Sequence, residues 1–199
     1  MTAVAIIDSS GAKITSLRVA PGRLGAESLV TSDADAIRRA TRVLLPGVGS
    51  AHDAMARLRM SGLDRVIPTL KQPLLGVCLG MQILYDSSEE GPAKGLGVIP
   101  GGVVALKSAP GLPVPHMGWN QLVQTKPDPL LDGISPLDYV YFVHGFAAPL
   151  GEHTIASVDY GSNLTAVVRR DNFCGTQFHP ERSGTVGARI LANFLKATR

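Results

Sequence analysis

Three short runs of the sequence, residues 4–7, 42–45 and 74–77, are almost wholly aliphatic and do not alternate apolar with polar side chains. A strand wetted on one face alternates, whereas a strand covered on both faces has no need to, which suits a parallel sheet. Between the runs the spacing becomes helical. Ser50 stands where an N-cap is favoured and is followed by Met55, Leu58 and Leu63 on one face. A second helical pattern begins at Cys78 with Met81, Leu84 and Tyr85, and the chain closes with Val186, Ile190, Leu191, Phe194 and Leu195 at helical spacing. The middle reads instead as shorter strands, 98–106, 121–123, 139–143, 154–158 and 164–169, joined by Gly, Pro and Asp turns. The expected fold is therefore α/β: a doubly wound, mostly parallel sheet with helices on both faces, and an antiparallel or mixed extension in its second half. No repeat or low-complexity linker divides the 199 residues, so they read as one domain, 1–199.

The formal charge is +3, with basic residues scattered along the chain. Nucleic acid, which needs a concentrated basic surface, is not the expected partner. The start MTAVAIID lacks the charged and apolar regions of a signal peptide. No apolar stretch approaches the roughly 20 residues needed to cross a bilayer. Cys78 and Cys174 match no zinc spacing and do not point to an oxidising compartment. The expectation is a cytoplasmic protein with no metal, cofactor, membrane or nucleic-acid partner.

The stretch GVCLGMQ, residues 76–82, ends an apolar run and begins a helical one with a cysteine between. Cys78 could be a small buried hydrophobe. It could also be a nucleophile on a strand-to-helix elbow, with Gly76 and Gly80 easing the turn and the Leu79 N–H aimed at an oxyanion. In QFHPERS, residues 177–183, His179 and Glu181 lie two apart, so an extended segment would place both on one side. The carboxylate would fix the imidazole tautomer while the other ring nitrogen faced the thiol. HPE alone would equally suit a surface turn. In LLPGVGS, residues 44–50, the turn around Gly47 and Val48 is either a plain strand-to-helix turn or the source of a second oxyanion N–H.

On these residues the chain resembles the class I (triad-type) glutamine amidotransferases. GVCLGMQ, HPE and PGVG stand in that family's order and spacing, from about Val4 to Leu195. PHMGWN at 115–120 and SSEEG at 87–91 are similar to the free-standing glutaminase subunits of imidazole glycerol phosphate synthases. The resemblance implies hydrolysis of glutamine to glutamate and ammonia through a thioester on Cys78, with His179 and Glu181 completing the triad. It implies an oxyanion hole from Leu79, Gly47 and Val48. Gln82, Glu90, Gly145 and Phe146 would hold glutamine, and His116, Trp119 and Asn120 would face the partner. That partner would be a (β/α)8-barrel cyclase subunit of histidine biosynthesis, in a heterodimer that consumes the ammonia.

Two stretches depart from the family pattern. Residues 8–13 read DSSGAK where the family usually has Asp-Tyr-Gly-x-Gly-Asn, and His144-Gly145-Phe146 replaces His-Ser-Tyr. The departures keep open a duplicated copy serving another ammonia acceptor, such as surface-sugar biosynthesis. A thiol peptidase is the rival from another class, and the absence of a C-G-x-C-W stretch counts against its best-known form. Cys174 reads as a buried strand residue, His52 and His153 as surface, His144 as structural and Glu89 as solvated.

Overall fold

The computed structural model describes residues 3–8, 21–22, 24–47, 49–91, 93–136 and 138–196. Its first half holds β1 (Ala3–Ile7), β2 (Glu27–Thr31), α1 (Ala34–Arg39), β3 (Arg42–Leu45), α2 (Ala51–Met60), α3 (Leu63–Val66), β4 (Leu74–Val77) and α4 (Leu79–Gln82). Then come β5 (Tyr85–Ser88), β6 (Ala93–Lys94), β7 (Ile99–Ala105), β8 (His116–Gln121), β9 (Val123–Gln124), β10 (Tyr139–His144) and β11 (Phe146–Ala147). β12 (Thr154–Asp159), β13 (Asn163–Arg170), β14 (Phe173–Thr176) and α5 (Gly184–Lys196) complete the chain.

The main sheet has eight strands in the order β2-β1-β3-β4-β14-β13-β12-β9. The pairings from β2 through to β14 are parallel, and those from β14 through to β9 are antiparallel. This is the expected mixed sheet. Its aliphatic strands are covered on both faces because neighbouring residues divide between two cores. Ile7, Leu45 and Leu74 join Met55, Leu58 and Ile67 on one side. Ile6, Leu44 and Leu75 join Phe142, Phe178, Ile190 and Phe194 on the other. Each such side chain taken from water contributes roughly 1.5–3 kcal/mol, which explains the lack of polar positions in these strands. β8 and β10 form a separate ribbon, and β11-β7-β5-β6 a small second sheet.

Three expected elements change. The helix opening at Cys78 lasts one turn, and Tyr85 begins a strand. The segment before β7 returns close enough to take over the carbonyls: Leu96 N–H bonds Ile83, Gly97 N–H bonds Tyr85, and Val98 and Ile99 both bond Leu84. Leu84 and Tyr85 stay buried, so their apolar spacing was real but did not come from a helix. Leu63 is buried on a separate helix, because Gly62 at φ +71° ends the previous one in the left-handed region. Residues 121–123 are a junction: β8 pairs with β10, β9 pairs with β12, and Leu122 passes between them with its N–H on Asp138.

Candidate functional site

The site lies at the carboxyl ends of β4 and β14. Cys78 follows β4 directly with φ 53° and ψ −112°, a conformation costly for a side-chain-bearing residue. Its N–H donates to Thr176 O at 2.7 Å, and its carbonyl accepts from Met81 N at 3.0 Å and Gln82 N at 3.1 Å. The backbone strain is thus on the cysteine itself. Gly76 and Gly80 act by close approach instead: a Cβ on Gly76 would lie 2.6 Å from Gly80 O, and one on Gly80 would collide with Leu45 O. Gly47 behaves alike, since a Cβ there would lie 2.7 Å from the Leu79 carbonyl carbon. It is packed against the elbow and is no free pivot. Val48 lies outside the described residues. Among the described residues of that turn, the positive φ belongs to Gly49, at +90°.

His179 and Glu181 meet as expected, with Nδ1 and Oε1 2.9 Å apart, though not through an extended segment. Residues Pro180–Arg182 form a 3-10 turn, with His179 as its N-cap. His179 N–H donates to Tyr141 O at 3.0 Å and Ser183 Oγ donates to His179 O at 2.7 Å, which fixes the turn. With Nδ1 on the carboxylate, the other ring nitrogen is left for the sulfur, and the imidazole interacts electrostatically with Cys78 as well as with Glu181. Burial pulls this imidazole down, but its interactions with Cys78 and Glu181 outweigh it and push it up to about 10. Glu181 Oε2 is buried without a hydrogen-bond partner among the described residues. Gln177 Nε2 and Val143 O each lie 3.8 Å from the Cys78 sulfur.

Cys78 opens into a cleft of ≈ 230 Å³ that Leu79, Gln82, Glu90, Gly145 and Phe146 also line. Gln82 donates from Nε2 to Phe146 O at 2.7 Å and to Gln177 Oε1 at 2.9 Å, which occupies both amide hydrogens and leaves only its oxygen to a ligand. Glu90 Oε2 accepts from Ala51 N at 2.8 Å and so also caps α2. His144, Pro115 and Gly49 complete the lining. His144, expected to be structural, also borders the cleft, and its place next to Gly145-Phe146 is the sequence signal for that.

The expected partner face divides. Trp119 is 55% exposed, with its ring edge-on to Tyr141 at 5.9 Å. His116 is 3% exposed, stacked between Phe142 and Tyr160, so it is internal and not a surface contact. β8 alternates, and the position that faces Phe142 is turned away from the one that carries Trp119. Asn120 is half-buried and donates to Asp159 O at 2.9 Å. Cys174 is buried, and Glu89 is exposed while accepting from Ala105 N at 2.8 Å. His52 is exposed and His153 half-buried. Of the departure at 8–13, all but Asp8 lies outside the described residues.

A cysteine on a strained strand-to-helix elbow, coupled to a histidine that a carboxylate orients, is the arrangement of a thiol-dependent acyl-transfer enzyme. The chain belongs to the class I glutamine amidotransferase family, whose model matches residues 6–198. It is 52% identical over 196 residues to the imidazole glycerol phosphate synthase subunit HisH of Xanthomonas campestris pv. campestris (strain 8004), covering 98% of both chains. The subunit of the same name from Xylella fastidiosa (strain Temecula1) is 50% identical over the same coverage. Among solved structures, one glutamine amidotransferase superposes with a TM-score of 0.75 over 97% of both chains at 20% identity. A glutamine amidotransferase from Thermotoga maritima gives 0.66 over 90% of this chain and 76% of its own at 15% identity. At these identities the two structures support the fold.

Proposed function

We propose that this chain is the glutaminase subunit of an imidazole glycerol phosphate synthase, acting in histidine biosynthesis as one amidotransferase domain over residues 1–199. The observation that carries the reading is Cys78 opening into the cleft, with an imidazole that interacts with it, His179, held by the Glu181 carboxylate at 2.9 Å. The Cys78 sulfur adds to the side-chain amide carbon of glutamine, and the carbonyl electron pair moves to oxygen. The Leu79 N–H is the first donor to that oxygen, and the peptide of Gly47 and Val48 the second. His179 then gives its proton to the leaving nitrogen, so ammonia departs as the C–N bond breaks and a thioester remains. Water adds to the thioester as His179 takes its proton, and collapse releases glutamate and the sulfur. Glu181 holds the ring in one orientation through both steps.

Free ammonia in neutral water is mostly protonated and no longer a nucleophile. That is the physical reason for a sealed partner, which we take to be a cyclase subunit of (β/α)8-barrel fold. The exposed Trp119 belongs to the surface it would cover. No helix of the described residues is long and apolar enough to cross a membrane, and we place the reaction in the cytoplasm. The test is glutamate formation by the purified chain, alone and with the cyclase subunit and its nucleotide ligand. Turnover that rises on complex formation and vanishes in Cys78→Ala supports the reading. Full turnover in Cys78→Ala, or none in the complex, refutes it.

A further inference from the structure

The wall of the cleft around Gly145 and Phe146 is held by side chains that the reaction itself does not use. Phe146 O accepts two hydrogen bonds, from Gln82 Nε2 at 2.7 Å and from His144 Nδ1 at 2.9 Å. A carbonyl oxygen can only accept, so His144 Nδ1 carries a hydrogen, and in the neutral ring Nε2 is then an acceptor. His116 Nδ1, 3.0 Å from that Nε2, must donate. His116 Nε2 becomes an acceptor in turn, 3.4 Å from Asn120 Nδ2. Asn120 has no choice of orientation, because its Oδ1 takes the Gln121 N–H at 2.8 Å and its Nδ2 donates to Asp159 O at 2.9 Å. The chain of bonds therefore has one direction and one tautomer at each ring. Burial pulls both imidazoles down to about 4, which keeps them neutral at ordinary pH.

The wall needs such support. Gly145 lies where the chain leaves the β8–β10 ribbon for the small sheet, and β11 pairs with β7 over only two residues. We propose that His116 and His144 are positioning residues for glutamine. They form a one-way hydrogen-bond relay from Asn120 on β8 to the carbonyl of Phe146, and the relay fixes the Gly145-Phe146 wall against which the substrate binds. The proposal rests on the glutaminase reading and deepens it. A wall that must be ordered on binding weakens ground state and transition state alike, so the effect falls on KM and spares kcat.

Two substitutions separate the relay from simple packing. His116→Phe keeps a ring between Phe142 and Tyr160 but leaves His144 Nε2 unpaired. His116→Asn places an amide nitrogen near the former Nδ1 and loses the stack. Assayed as the complex with the cyclase, His116→Phe should raise KM for glutamine about tenfold, which is 1.4 kcal/mol, with kcat within about twofold of wild type. His116→Asn should return KM to within about threefold of wild type. The reverse order, with the phenylalanine variant normal and the asparagine variant impaired, would overturn the relay and leave only packing. Imidazole 15N NMR of the wild-type complex gives a readout independent of turnover: both rings should be protonated at Nδ1 alone. An active complex with either ring protonated at Nε2 overturns the relay while leaving the glutaminase reading intact. A wild-type complex that does not hydrolyse glutamine overturns that reading and the role in glutamine binding with it, whatever the tautomers.

Discussion

The carbonyl oxygen of Leu45 occupies the place where a Cβ on Gly80 would stand. The end of β3 and the elbow helix α4 thus touch backbone to backbone, and the position of Cys78 depends on that contact. An alanine at 80 would meet rigid main chain, and overpacking of this kind typically costs about 1–3 kcal/mol. In a chain of this size each kcal/mol shifts Tm by about 2–4 °C. Gly80→Ala should therefore melt several degrees below wild type and lose glutaminase turnover. Gly145→Ala is the control, because its Cβ would find only Val114 Cγ1 at 3.8 Å. It should melt close to wild type. Indistinguishable melting curves for the two variants would mean that β3 and α4 separate without cost.

The two cysteines should differ sharply towards electrophiles. Cys174 is 1% exposed, with Sγ 3.2 Å from Leu74 O, and burial pushes its thiol up to about 12. Cys78 opens into the cleft beside an imidazole held in its charged form. The thiolate is the reactive species, so a glutamine-like chloroketone should modify Cys78 and leave Cys174 untouched in the folded protein. His179→Ala should slow the labelling. Peptide mapping that finds the adduct on Cys174 would contradict the assignment.

Stability should respond to pH from both sides. His179 lies near 10 in the folded protein against about 6.5 in the unfolded chain. The folded state then binds its proton more tightly, so this contribution is complete below about pH 6.5 and is lost as the pH rises through about 10. His116 and His144 lie near 4, so their contribution is complete above about pH 6.5 and is lost as the pH falls through about 4. Tm should accordingly be highest near neutrality and decline in both directions. Glu181→Gln removes one cause of the high His179 value and should flatten the alkaline decline measured by calorimetry. An unchanged alkaline slope in that variant would show that the carboxylate does not hold the imidazolium.

Strands β1, β3 and β4 were readable from sequence because burial on both faces leaves a local trace, an unbroken aliphatic run. β2 and α1 left no such trace. Glu27, Ser28 and Leu29 on β2 are all exposed, and α1 buries only Ile37. The elbow cysteine and the His179–Glu181 pair were legible from GVCLG and HPE because each motif is compact and sits at the end of an apolar run. The spacing of Leu84 and Tyr85 misled for the opposite reason: both are buried by a segment that returns from farther along the chain. His116 shows the same limit. Its neighbours Phe142 and Tyr160 are distant in sequence, so HMGWN alone gave no hint that one residue faces inward while Trp119 faces out.

Gly145 and Phe146 provide the last test, since the family pattern places serine and tyrosine there. Both residues line the cleft with Cys78. Space does not explain the glycine: a Cβ at 145 makes one ordinary contact, and the φ there is not in the left-handed region. The double substitution Gly145→Ser with Phe146→Tyr should therefore fold normally and add two hydroxyls at the cleft wall. Among the described residues, neither position has a hydrogen bond to Cys78, His179 or Glu181 to lose, so the added contacts should serve substrate and transition state equally. Binding of that kind lowers KM and leaves kcat unchanged. We expect a drop in KM for glutamine of about tenfold, the effect of one or two hydrogen bonds at roughly 0.5–1.5 kcal/mol each, with kcat within twofold, measured at saturating cyclase. A severalfold rise in kcat at constant KM would instead place the pair in the chemistry, and the loss of the hydroxyls would then mark a slower enzyme, where the cleft geometry predicts only weaker binding of glutamine.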